Sequence, residues 1–120
     1  MTDGTCWRVL NPLVTDAEVV VERPAGSPHP LFSECLYPLD DGFLRATCSG
    51  DGMDIDVIMG ATGSREVTGI VSTLDAHRRD AELRVLLGCT TEQAESVRAF
   101  LDGPGSFGCL RPLRPGVSGG

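Results

Sequence analysis

Asp51, Asp54 and Asp56 form the densest acidic group in the chain. Carboxylate oxygens in a loop that leads into a strand are the ligand type of a hard divalent cation such as calcium. Their spacing does not match an EF-hand loop, and aspartates alternating along a strand commonly just face water, so no metal ligands are assigned to them. Gly60-Ala61-Thr62-Gly63-Ser64 has the small residues of a phosphate-cradling loop but lacks the lysine that completes one. It also joins two strand-like segments instead of a strand and a helix, which makes it a tight hairpin turn. His29, between Pro28 and Pro30, and His77, beside Arg78, are each able to act as a general base. No Ser or Cys nucleophile stands in a motif near either of them. With no GxSxG, no HExxH and no glycine-rich dinucleotide fingerprint, the sequence assigns no catalytic residue and no cofactor, and the expectation is a protein that is not an enzyme.

Cys6, Cys35, Cys48, Cys89 and Cys109 include no CxxC pair and stand at no zinc-ligand spacing with either histidine. They are expected to be reduced and buried, since a free cysteine behaves as a small hydrophobe. Cys89 and Cys109 flank a predicted helix, but a disulfide between them would need an oxidising compartment. Trp7 is expected to fasten the N-terminal segment to the core rather than to stack on a ligand.

The 17 acidic residues outweigh 10 basic ones for a net charge of −7, which excludes nucleic-acid binding by phosphate neutralisation. Every basic residue is Arg, a bias associated with GC-rich genomes such as those of actinobacteria and their viruses. A hydrophobic fraction of 41% with 22% charged residues is the composition of a folded domain, and 120 residues suffice for one core. No apolar run reaches the roughly 20 residues of a membrane span, and the first eleven residues lack the apolar middle of a secretion signal. Synthesis in a cytoplasm without membrane partners is expected.

The elements that must position these groups are mostly short strands. Glu18 to Glu22 is a β-branched run closed by the Pro- and Gly-rich segment Arg23 to Pro28. Leu31 to Tyr37 and Gly42 to Cys48 read as strands about the turn Pro38 to Gly42. Asp54 to Met59 alternates, and Glu66 to Leu74 is the returning strand. Asp75 to Asp80 is a loop. Glu82 to Cys89 sets Leu83, Val85 and Leu87 at strand spacing, and Thr90 followed by Gln93 is a capping box that opens a helix over 90–102. Ala94, Val97 and Leu101 form its apolar stripe, widened by Phe100, and Gly103-Pro104-Gly105 ends it. Phe107 to Arg111 is a last strand.

A lone helix of this length is marginal in water and must lie on the sheet. The expected fold is therefore α+β, a mainly antiparallel β-sandwich with one amphipathic helix packed on it. It forms a single domain over 1–112, followed by a flexible C-terminal arm over 113–120. The expected core is Val19, Val21, Ile55, Val57, Ile70, Val85, Leu87, Val97, Leu101 and Cys109.

Arg65-Glu66-Val67-Thr68, the strand Glu82 to Leu87, the helix Thr90 to Leu101, the turn Gly103-Pro104-Gly105 and the closing Leu110-Arg111-Pro112 follow one another over about half of the chain. This succession resembles minor or distal tail proteins of long-tailed, siphovirus-type actinobacterial phages. The opening Cys6-Trp7-Arg8-Val9-Leu10-Asn11-Pro12-Leu13 is similar to the first segment of such proteins. The resemblance implies a structural virion subunit, with copies of itself in a hexameric or trimeric ring and neighbouring tail proteins as partners. Tail terminators and head-tail joining proteins have related folds and remain alternatives. Such assembly would fall to Arg23, Pro24, Pro28, His29, Thr62, Arg65 and Arg114, in the loops Arg23 to Pro30 and Gly60 to Arg65 and in the C-terminal arm, because unpaired edges and arms template association. An acidic balance also suits a channel through which DNA slides. The rival from another class is a small cytoplasmic ligand- or metal-binding module.

Overall fold

The structure is a computed structural model that describes residues 12–30, 32–48, 50, 52–75 and 79–102, and the backbone of 106–112. Strands β1 (Val19–Arg23), β2 (Asp40–Leu44), β3 (Ile55–Met59), β4 (Val67–Asp75) and β5 (Asp80–Leu87) precede helix α1 (Thr91–Leu101), and β6 (Ser106–Pro112) follows it. All the strands belong to one 6-stranded sheet of order β1-β2-β3-β5-β4-β6. The β3–β5 pair is parallel and the others are antiparallel. The domain is α+β, as expected, but the strands form one open mixed sheet where a sandwich of two was expected.

The physical reason lies in where β5 goes. It inserts between β3 and β4, so Gly60 to Ser64 does not close a hairpin as its sequence suggests. The hairpin is instead β4–β5, with Asp75 opposite Asp80. With six strands in one layer, the two faces of the sheet are covered by separate pieces of chain. Leu39, Ile58, Val71, Leu86 and Cys89 pack against Ala94 and Val97 of α1, with Leu101 at the margin. On the opposite face Leu44, Val57, Val67, Val85 and Leu87 pack against Val14, which lies in a helical turn over residues 12–16. The Arg65 guanidinium donates to the carbonyls of Val14 and Ala17 and so fastens this turn to the sheet. Burying each such aliphatic side chain stabilises the fold by about 1.5–3 kcal/mol.

Helix α1 starts where its sequence says. Thr90 Oγ1 accepts from Gln93 N at 3.1 Å, and Gln93 Oε1 accepts from Thr90 N at 3.0 Å. The two bonds satisfy backbone donors that the first turn would otherwise leave open. Thr68 on β4 ties the helix start to the sheet, its Oγ1 accepting from Cys89 N at 3.0 Å.

Three expectations fail locally. The strand expected over Leu31 to Tyr37 is not formed by its described residues 32–37: they turn back on 24–29, with Gly26 N donating to Tyr37 O, Tyr37 N to Ser27 O and His29 N to Cys35 O. Among the expected core residues Val57, Val85, Leu87 and Val97 are buried, but Val21 is 40% exposed because β1 is an edge strand. Cys35 and Cys48 are exposed, where buried thiols were expected, and Cys89 is buried. Cys6, Trp7, His77 and the C-terminal arm lie outside the described residues, as does the side chain of Cys109.

Candidate functional site

Cross-strand register sorts the side chains by face, because alternate residues of a strand point to opposite sides. Ile58 is opposite Leu86, and both lie under α1. Two residues back along the same strands, Asp56 is opposite Arg84, and Arg84 is opposite Val71 on β4. Two further back, Glu82 is opposite Thr73, and beyond that Asp80 is opposite Asp75. On β2, Asp41 is opposite Ile58. The part of this face beyond the helix therefore carries Asp41, Asp56, Asp75, Asp80 and Glu82, with Arg84 among them.

Burial reverses the usual order here. Asp56, Asp75, Asp80, Glu82 and Arg84 are partly shielded. On the other face of the same hairpin Leu74 is 57% and Leu83 is 49% exposed. Leu83 shares the face of Val85 and Leu87, as its spacing predicts, but faces water where they are buried. Exposed leucines and half-buried carboxylates are each ordinary by themselves; together they show that the carboxylate side of this hairpin is the more sheltered one.

At its inner end the face is closed by a charged pair and an aromatic wall. Arg84 Nε stands 3.7 Å from Asp41 Oδ1, and its terminal Nη2 stands 3.9 Å from Glu82 Oε2. Burial pushes the Asp41 carboxyl up from its ordinary value, against the opposing pull of the Arg84 and Arg23 guanidiniums. Burial likewise raises the Tyr37 hydroxyl, with the Arg23 charge opposing. Arg23 lies over the Tyr37 ring, 5.9 Å from its centroid. Tyr37 and Phe100 have ring centroids 4.6 Å apart, and His29 stands within 6.1 Å of Tyr37, 6.0 Å of Phe100 and 5.3 Å of Phe32. The loop from Arg23 to Tyr37 is thus stapled to the C-terminal end of α1 beside the carboxylate face.

The acidic group singled out in the sequence divides. Asp56 joins the face, whereas Asp54 braces the loop before β3, its Oδ1 accepting from Thr47 N at 3.2 Å. Asp51 lies outside the described residues. Among the residues expected at assembly contacts, Arg23 and His29 belong to the wall of this site. The Pro24 carbonyl accepts from Ser27 N and Oγ, Pro28 bridges to Leu36, and Thr62 Oγ1 accepts from Ser64 N. Arg65 holds the N-terminal turn, and Arg114 is outside the described residues. Asp41, Asp75, Asp80, Glu82 and Arg84 were missed as site residues. The signal that could have found them is the alternation Asp80, Glu82, Arg84 against Ala81 and Leu83, which places three charges on one side of a strand.

The donors on this face are carboxylate oxygens, which suit hard divalent ions. Among the described residues no three His, Cys, Asp or Glu side chains converge on one point fit for a metal ion. An ion held by one or two of these carboxylates, with water and ligand oxygens completing its shell, is the arrangement Mg²⁺ favours. Among the described residues no helix is long and apolar enough to cross a membrane.

No protein-family model matches the chain, and no curated protein matches it in sequence. Solved structures do match in fold. An inorganic pyrophosphatase from Helicobacter pylori superposes with a TM-score of 0.57 at 16% identity, covering 78% of this chain and 81% of that one. One from Coxiella burnetii gives 0.55 at 15% identity over 80% and 83% of the two chains. One from Thermus thermophilus gives 0.54 at 18% over 79% and 81%. At such identities the likeness is one of fold. It nevertheless corrects the expectation of a non-enzymatic virion subunit: these three structures are of inorganic pyrophosphatases and none is of a tail protein, so the ring partners and virion location fall with that reading.

Proposed function

We propose that this chain binds a phosphoanhydride on the carboxylate face of its sheet through divalent cations, and hydrolyses it. The observation that carries the reading is the row of partly shielded carboxylates, Asp56, Asp75, Asp80 and Glu82, on a face whose reverse side exposes leucines. The pyrophosphatase fold supports it.

A phosphoanhydride carries several negative charges, and this face is itself mostly negative. Attraction must come from cations lodged between the two, because like charges at these distances repel. Asp56, Asp75, Asp80 and Glu82 supply the oxygen ligands. When bound, Mg²⁺ neutralises phosphate oxygens and makes water a better nucleophile. The chain itself excludes water from one side of the site with the Tyr37, His29 and Phe100 wall and places the Arg84 guanidinium at the inner end. In the net reaction water adds to one phosphorus, the bridging oxygen–phosphorus bond breaks, and two phosphates leave.

The test is release of phosphate from inorganic pyrophosphate by the purified protein in Mg²⁺. Release that EDTA abolishes, and that Asp56→Asn and Asp80→Asn each lower by at least about 10-fold, is expected. A second reading, a module that binds the ion–phosphate complex without turning it over, is favoured by the lack of a three-ligand cluster among the described residues. Binding of Mg²⁺ and imidodiphosphate with no release would select it, and binding of neither would overturn both.

A further inference from the structure

We infer that Arg84 is the oxyanion-binding residue of this face, held between Asp41 and Glu82 until an incoming phosphate group supplies the hydrogen bonds they do not; the inference rests on the reading of the face given above. Arg84 stands at the centre of β5, directly beside Asp56 across the parallel pair. Along its own strand Glu82 and Asp80 follow on the same face. Arg23, the other guanidinium near Asp41 and its partner across the β1–β2 pair, lies over the Tyr37 ring in the wall of the site.

Arg84 is held by charge more than by well-made hydrogen bonds, and its Nε in particular is unsatisfied. The separations of 3.7 Å to Asp41 and 3.9 Å to Glu82 are ion-pair distances longer than a hydrogen bond. Its side chain is only 17% exposed, and its buried Nε has no hydrogen-bond partner. Folded proteins rarely leave a buried donor unsatisfied, and one that is left so calls for a ligand, water or strain to explain it. A guanidinium offers a planar fork of donors that matches two phosphate oxygens. A phosphate arriving with its cations meets those donors at the one place on the row where the charge is positive. The cations would also draw Glu82 away from Arg84 and leave the fork to the anion.

Calorimetric titration of the full chain with Mg²⁺, and then with imidodiphosphate in Mg²⁺, tests this. Arg84→Gln is expected to bind imidodiphosphate at least about 10-fold more weakly, the factor of a lost charge-assisted bond, while Mg²⁺ alone binds as before or more tightly. Arg84→Lys, which keeps the charge and loses the fork, falls between. Because Arg84→Gln leaves Asp41 buried alone, the double variant Asp41→Asn/Arg84→Gln is measured beside it and shows the same loss in a protein that melts cooperatively. Unchanged imidodiphosphate affinity in the double variant overturns the inference, as does a parallel loss of Mg²⁺ affinity, which would make Arg84 a support for the ion ligands. A wild-type protein that binds neither probe overturns the reading of the face itself.

Discussion

Arg84 and Asp41 face each other across β3 from β5 and β2, the guanidinium Nε 3.7 Å from the carboxylate Oδ1, in the most shielded charged contact among the described residues. The sheet order alone makes this possible: the two residues are far apart in sequence, and only a β5 inserted beside β3 brings them onto one face within reach. Breaking a buried pair from one side strands the other charge, which costs about 3 kcal/mol or more. Arg84→Ala is therefore expected to lower stability by about that much, and the double variant Asp41→Asn/Arg84→Gln by less than the sum of the singles. Urea melts of the single and double variants measure the coupling, and simple additivity would contradict it.

The same pair sets a pH dependence. The Asp41 pKa is raised by burial, so the folded state binds this proton more tightly than the unfolded chain does. Its contribution to stability is fully present below the ordinary aspartate pKa and is lost as pH rises through the folded value. Wild-type stability minus that of Asp41→Asn is expected to fall as pH increases across that window and to level off above it. Thermal melts of both proteins from acid to neutral pH check the sign, and a rising difference would exclude it.

Asp75 and Asp80 are cross-strand partners on the carboxylate face. A divalent cation shared by two carboxylates at opposed strand positions would bind the folded chain and not the unfolded one. Added Mg²⁺ is expected to raise the melting temperature of the wild type in a concentration-dependent way, as a ligand of the folded state does. The shift should shrink in Asp75→Asn/Asp80→Asn and vanish in EDTA. An equal shift in that variant would place the ion elsewhere.

Gly42 has no room for a side chain. A Cβ there would lie 2.0 Å from the carbonyl oxygen of Val20, a backbone atom that cannot swing away. Gly42→Ala should part β1 from β2 and pull Asp41 out of line with Arg84. A loss of about 2 kcal/mol or more is expected, with weaker imidodiphosphate binding. A melt unchanged from wild type would show that the strands can separate without cost.

Cys89 is buried under α1, and burial pushes its thiol up to about 11. A thiol that stays protonated is a poor nucleophile. At neutral pH a thiol reagent should label the exposed Cys35 and Cys48 quickly, and should reach Cys89 only when the protein unfolds. Mass spectrometry of labelled peptides before and after urea distinguishes the sites.

By itself the sequence determined whatever depends on neighbours along the chain. Thr90 and Gln93 fix where α1 begins because the capping box closes within one turn, and Ala94 with Val97 names its buried side. The β-branched runs locate β1, β3, β4 and β5 to within a residue or two, since strand propensity is local. What only the tertiary structure decided is which strands lie beside which. A pattern such as Asp-Ala-Glu-Leu-Arg alternates equally well with either set inward. That choice was made by β5 entering between β3 and β4, which buries Val85 and Leu87 under the N-terminal turn but leaves Leu83 beyond its reach. The same placement gathers Asp41, Asp56, Asp75 and Asp80 from separate strands onto one partly shielded face, where the sequence reads only a wet surface. Pairing between distant strands is set by the summed burial of both faces of the sheet, a quantity no single segment of sequence contains.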